Sequence, residues 1–341
     1  MNSMDVSPPL ILSVRYSPNH RSIPMNNAAE DAVKAVICAS APEREADLSR
    51  MWDEHQPNVN HVDDRRGFTL KAGSFGLVLF NYKSMCQIWL LGFAAQYSFD
   101  LFLPYLFISQ VNGSSFLPSD AIAEPEEKDI FAEISIIFQA IDELRESDDI
   151  DNITWPLNMP RPVNGKPGNE KGGMTFDLLC IASAYCFLHE LRHVQLRNQG
   201  TNLDSIQEEH ACDDYARVFL LDEIEHYAQQ TGYNLAKLKS KRTMGIALAS
   251  IFLLVVTPES CWHGSRTHPS VVSRIRSLTD AVGVSNNDYF WSYLACLLLS
   301  VFCVRRMSID SAIVGTQREY CYFLLSKIDS RLTSSFSRPE T

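Results

Sequence analysis

The chain has no excess of positive charge: 30 lysines and arginines stand against 41 aspartates and glutamates, a net charge of -11. A protein without a basic field gains little from phosphate counterion release, so nucleic acid is not an expected partner. No C-x-x-C pair occurs among the nine cysteines. That absence and the odd number argue against a disulfide framework and for reduced thiols in a cytoplasm. There is no G-x-S-x-G and no cysteine in a nucleophile motif, which makes serine or cysteine catalysis a weak reading. Met1 to Ile23 contains Pro8, Pro9 and several charges and lacks the features of a cleavable signal peptide. Long apolar runs are missing too. The runs around Cys86 to Ala95, Met244 to Val256 and Trp291 to Val304 each fall short of the ~18 uninterrupted apolar residues of a spanning helix. Buried core helices are the expectation for all three, and peripheral membrane association is the minority reading. No internal repeat is visible.

What remains is an ordinary globular composition, 45% hydrophobic and 21% charged. A chain of 341 residues suits two domains or one large one with appended helices. The pattern predicts a helix over Ala28 to Ala41, then a β-hairpin or short strands over Phe68 to Phe80, alternating around Gly73 and Gly76. An apolar helix follows over Tyr82 to Leu106. Pro118, Pro125 and the acidic run Glu124 to Asp129 lead into a helix over roughly Ile130 to Glu146. Residues 150–173, rich in Pro, Gly and Asn, read as a long loop at the rim of a cleft. A helix from about Thr175 to Gln199 is apolar on nearly every face, which predicts burial, and Gly200 stops it. Ser205 and Glu208 have capping-box spacing and open a second helix running to about Gln230.

The buried helix carries His189-Glu190-Leu191-Arg192-His193, an H-E-x-x-H motif. Histidines four apart leave a helix from one face, so both imidazoles reach one tetrahedral ion. Glu190, about 100° round the helix, sits beside the open coordination position as general base. Chance also produces such motifs. Polar groups in an otherwise apolar buried helix, however, are costly without a partner. A third ligand is needed, and the extended pattern with glycine and histidine further along is absent, since Leu196 and Gln199 occupy those places. Glu209-His210-Ala211-Cys212-Asp213 supplies one by geometry. The short link over 200–204 makes the two helices antiparallel, which brings Glu209 opposite His193. Asp213, one turn on, is placed to accept a hydrogen bond from a ligand histidine. A solvated acidic helix start would explain both carboxylates without metal. Glu208 is read as the capping residue, and His210 as pointing away. Thr267-His268-Pro269-Ser270, followed by Arg274-Ile275, puts His268 at the mouth of a helix beginning at Pro269 and running to about Asp280. There it either donates to the oxyanion of a tetrahedral intermediate or serves as a cap.

H-E-L-R-H, then E-H-A-C-D, then T-H-P-S-x-x-x-R-I, in this order, resembles the Lit family of phage-exclusion zinc metallopeptidases. More distantly it is similar to the prenyl-protein and heat-shock membrane proteases, from which the short apolar runs depart. The motifs span about Thr175 to Asp280. The resemblance implies zinc at His189 and His193, catalytic Glu190, a third ligand at Glu209, and a protein substrate, translation elongation factor Tu. The expected fold is mainly α (α+β), a zincin-type helical core with a small N-terminal β element. Its expected organisation is an N-terminal region over 1–125, a metallopeptidase core over 126–285 and C-terminal helices over 286–341 packed on the core. Two rival readings stay open, a metal-dependent hydrolase of some other bond and a regulatory protein with a structural metal or none. The intact Glu190 argues against the latter.

Overall fold

The computed structural model describes residues 25–336, with side chains described for 28–330; Met1 to Ile23, read above for a signal peptide, lies outside the described residues. The fold is mainly α with a small β element. Helices α1 (Met25–Ser40) and α2 (Glu45–His55) lead to a three-stranded sheet of β1 (Asn58–His61), β2 (Leu70–Ala72) and β3 (Leu77–Phe80). The strand order is β1-β3-β2. The expected hairpin is present, with Leu70 opposite Phe80 and Ala72 opposite Val78. The parallel partner β1 has too little apolar alternation in Asn58–His61 to announce itself, and its pairing to β3 is long-range.

Helix α3 (Tyr82–Asn112) is capped by Asn81, whose side chain accepts from Ser84 N, and ends at Gly113 in the left-handed region, φ 59°. It passes the expected end at Leu106 because Pro104 is accommodated inside it. Together with the short β4 (Ser115–Phe116), α3 precedes α4 (Pro125–Glu146). That helix starts five residues before the composition suggested, because Glu124 and Glu127 form a reciprocal capping box with proline at the first turn. The 150–169 stretch is irregular apart from two single 3₁₀ turns. Asn169 then caps α5 (Glu170–Asn198).

Helix α5 is the axis of the molecule. It packs against α1, α3, β2 and β3 and against two later helices, α6 (Ser205–Leu221) and α8 (Leu235–Val256). Two glycines permit its closest contacts. A Cβ at Gly92 of α3 would lie 2.6 Å from Leu179, and one at Gly245 of α8 would lie 2.5 Å from Ile181. The second helix of the pair does not run unbroken to Gln230: α6 stops at Leu221 and a separate α7 (Ile224–Thr231) follows. Its cap also differs from expectation. Asp204 accepts from Gln207 N, and the Gln207 side chain returns the bond, so neither Ser205 nor Glu208 caps the helix. After α8 come α9 (Val271–Ala281), α10 (Tyr289–Val304), β5 (Ala312–Ile313) and α11 (Gln317–Phe336). Buried apolar residues from α1 through α11 form one continuous cluster.

Among the described residues two helices, α3 and α5, are long and apolar enough to cross a membrane by length and composition alone. In α5 78% of the apolar window is buried inside the protein, which is what a core helix requires. Because the α5–α8 contact has no room for a methyl group, Gly245→Ala should destabilise the fold by about 1–3 kcal/mol. A urea titration checks this, the expected result being a lowered midpoint with an unchanged slope.

Candidate metal centre

Helix periodicity places His189 and His193 one above the other on the face of α5 that meets α6. Both are buried, 7% and 8% exposed. Their Nε2 atoms point at one spot and lie 3.2 Å apart. Across the seam, Glu209 of α6 brings Oε2 to 3.5 Å from His189 Nε2 and Oε1 to 3.6 Å from His193 Nε2. An ion held tetrahedrally at zinc–ligand lengths separates its N and O donors by about 3.3 Å. The separation of the two nitrogens is close to that edge length, and each nitrogen has one Glu209 oxygen at a distance within about 0.3 Å of it.

The outer nitrogens are occupied as well. His189 Nδ1 lies 2.9 Å from Asp213 Oδ1, and His193 Nδ1 lies 2.6 Å from Glu208 Oε1. Each imidazole thus donates its Nδ1 proton to a carboxylate from α6, which leaves the Nε2 lone pairs directed inward. Two buried lone pairs facing each other repel unless a cation lies between them. Burial alone would lower the pKa of His189, but the Asp213 charge and hydrogen bond, with help from Glu209, outweigh burial and raise it to about 9. The residues present therefore fit a divalent ion of the zinc type.

Asp213 is the anchor of the seam. Burial alone would protonate it, yet the Arg274 guanidinium and His189 hold its carboxyl well below the usual carboxylate range. Arg274, on α9, donates Nε to Oδ2 at 2.7 Å and Nη2 to Oδ1 at 2.6 Å, a bidentate pair, while its Nη1 reaches Glu209 Oε2 at 3.1 Å. Tyr185 adds a hydroxyl donor to Asp213 at 3.2 Å. Glu209 is likewise kept ionised: burial works against the charge, and the contacts with His189 and Arg274 outweigh it. Arg274 was visible in the T-H-P-S-x-x-x-R-I string, but only the tertiary packing of α9 reveals its partners.

Glu190 does not join this cluster. Its carboxylate accepts from the Ala72 backbone N–H at 2.5 Å, on the edge of β2 away from β3. Burial pushes its pKa up. Arg197 fastens the same hairpin to α5 through the Gly73 carbonyl at 2.6 Å. His268 lies at the opposite lip, its side chain 63% exposed, with Nε2 3.7 Å from Glu209 Oε1. It is not the cap of α9: Ser270 is, accepting from Ser273 N, and Pro269 precedes the cap instead of opening the helix. All six residues singled out in the sequence, His189, Glu190, His193, Glu209, Asp213 and His268, line one cavity of about 350 Å³. Its remaining wall is mixed: Phe68, Leu70, Phe252, Leu253 and Val256 are apolar, while Lys71, Arg197 and Arg274 bring positive charge.

Two further residues escaped the sequence reading. Glu208 turns out to be the partner of His193. Cys212, fully buried one turn after Glu209, forms with His189 and His193 a group whose ligand atoms all lie within 4.8 Å of one another. Glu209, with one oxygen 3.5 Å from His189 Nε2 and the other 3.6 Å from His193 Nε2, is a second candidate for the third ligand. Burial, followed by the negative charge of Glu209 and Glu208, raises the pKa of the Cys212 thiol. Spacing alone held a signal for both: residues 208, 209, 212 and 213 share one face of a helix.

A family model described as Peptidase U49 matches residues 78–294. The Escherichia coli (strain K12) protein named Cell death peptidase is 27% identical over 189 residues, 53% of this chain. That match spans 58% of the relative's own length. No solved structure matches. The pairing of Glu208 with His193 carries its own consequence. Glu208→Ala should weaken metal affinity by about 10 to 100-fold, the usual cost of losing a histidine's outer partner. Competition with a chelator measures it, and an unchanged dissociation constant would return Glu208 to the helix surface.

Proposed function

The chain belongs to the Peptidase U49 family, whose model covers more than half of it; from this premise we propose that it is a peptidase, a zinc-dependent endopeptidase of a protein substrate. The observation that carries the metal is the pair of inward Nε2 atoms 3.2 Å apart with the Glu209 carboxylate across from them. His189, His193 and Glu209 would hold the ion, and Asp213 would orient His189. Zinc in such a site polarises a carbonyl and lowers the pKa of water to near neutrality.

The chain's own residues supply the rest. Glu190, a buried carboxylate made more basic by its surroundings, takes the proton of the attacking water and returns it to the leaving amine. For that step it must exchange the Ala72 N–H for water. The outer edge of β2 lies beside Glu190, where an extended substrate segment can add as a strand. His268, on the other lip, is placed to donate to the oxyanion of the tetrahedral intermediate. Arg274 holds Glu209 and Asp213 rigid through the reaction. A non-peptide hydrolase would use the same parts, but an open strand edge at the base favours a polypeptide. Translation elongation factor Tu, which the resemblance to the Lit peptidases implies, is the first substrate to test, in a cytoplasmic setting.

Purified wild-type protein is expected to carry one zinc per chain and His193→Ala none. Glu190→Gln should keep the metal yet lose at least ~100-fold in turnover. Elemental analysis and proteomic comparison of a host lysate treated with wild type or Glu190→Gln read both effects. Full metal retention in His193→Ala would sink the site, and near-normal turnover in Glu190→Gln would sink the base. His268→Ala should depress kcat and kcat/KM equally, by about 10²–10³, with metal content unchanged. If turnover per folded molecule is preserved and only the melting temperature falls, His268 merely braces the 265–270 loop.

A further inference from the structure

We propose that Cys212 is a fourth, exchangeable ligand that closes the metal site in the resting protein; this rests on the metal reading above. A catalytic zinc site keeps three protein ligands and an open position, whereas four protein ligands make a closed site. The seam between α5 and α6 offers four donors. Glu209 and Cys212 are three residues apart on one face of α6, with Asp213 beside them, and that face meets His189 and His193.

The thiol is completely buried, and its ligand atom and those of the two histidines lie within 4.8 Å of one another. The histidines are more than nine-tenths buried, and their Nε2 atoms lie 3.2 Å apart with the Glu209 oxygens at 3.5 and 3.6 Å. Carboxylate and thiol from one face of α6 are thus both gathered around the two imidazoles. In a tetrahedral site with thiolate, sulfur and nitrogen stand about 3.6 Å apart. The cysteine and both histidines thus lie within 4.8 Å of one another, close to the spacing such a site requires. Imidazole, carboxylate and thiolate together form a donor set that zinc accepts.

Closing exchanges one ligand for another. With a metal bound, Cys212 would lose its thiol proton to solvent and stand as thiolate where water would otherwise bind. On opening, the thiolate would take a proton back from solvent and water would occupy the place it leaves. The closed form cannot deliver water to Glu190, so the peptidase is silent until the thiolate yields its place. Glu209 stays bound in both forms because Arg274 fixes it from behind at 3.1 Å.

The test replaces the metal of the full chain with cobalt(II), whose spectrum reports its ligands. Wild type should show a near-ultraviolet thiolate-to-cobalt charge-transfer band. Cys212→Ala and Cys212→Ser should lose that band while keeping one cobalt per chain. Cys186→Ala, at the thiol that lines the cavity, should retain it. Turnover of an unfolded protein such as casein should rise several-fold in the zinc form of Cys212→Ala. Stoichiometric cobalt without the band, or a band that survives both Cys212 substitutions, overturns the inference and leaves the peptidase reading intact. Unchanged turnover in Cys212→Ala overturns the closing role. Failure of wild type to bind cobalt overturns the metal reading itself, and this inference with it.

Discussion

The bidentate pair between Arg274 and Asp213 is the interaction on which the site depends. Without the guanidinium, a buried carboxylate would give up its charge, and His189 would lose the acceptor that fixes its tautomer. Through its third nitrogen Arg274 also holds Glu209. One cation from α9 thus keeps two acidic side chains of α6 ionised and aimed at α5. Two consecutive helices, α5 and α6, and the more distant α9 are joined through a handful of charge-assisted hydrogen bonds, each stronger than a neutral one.

Such a polar cluster is costly to bury, and the surrounding architecture offsets that cost. Helix α5 is enclosed by α1, α3, α6 and α8, and the close approaches at Gly92 and Gly245 grip it at Leu179 and Ile181. That grip lies two to three turns before the histidines, so their backbone positions are set by packing and not by the metal. Rigid placement of donors ahead of binding is what gives a metal site its selectivity and a catalytic group its reach. Glu190 is held differently, by a strand edge that a substrate can also use. Helix α5, which carries both candidate metal-binding histidines, also holds the hairpin through Glu190 and Arg197.

Much of the core was legible because helix geometry is local. A spacing of four residues puts His189 and His193 on one face whatever the rest of the chain does, and a glutamate between them must lie to one side. The apolar run over 175–199 announced a buried helix, and the alternation over 68–80 announced the hairpin. Element ends were less legible. The α4 start moved to Pro125 because a capping box overrode composition, and the α6 start belongs to Asp204 and Gln207 and not to Ser205 and Glu208. Residues of equal capping propensity stood side by side, and backbone geometry chose between them.

By itself the sequence determined the chemistry on offer: two imidazoles and a carboxylate at helical spacing, further carboxylates on one face of the next helix, and the motif order of a peptidase family. It determined this because the period of a helix depends on backbone hydrogen bonds alone. Only the tertiary structure decided which donor meets which. Glu208 turned to His193, Arg274 clasped Asp213 and Glu209, Ala72 took Glu190, and Cys212 came to lie beside both histidines. These pairings depend on the rotation and crossing of helices that touch across long stretches of chain. Burial and steric fit govern that crossing, and no local spacing encodes it.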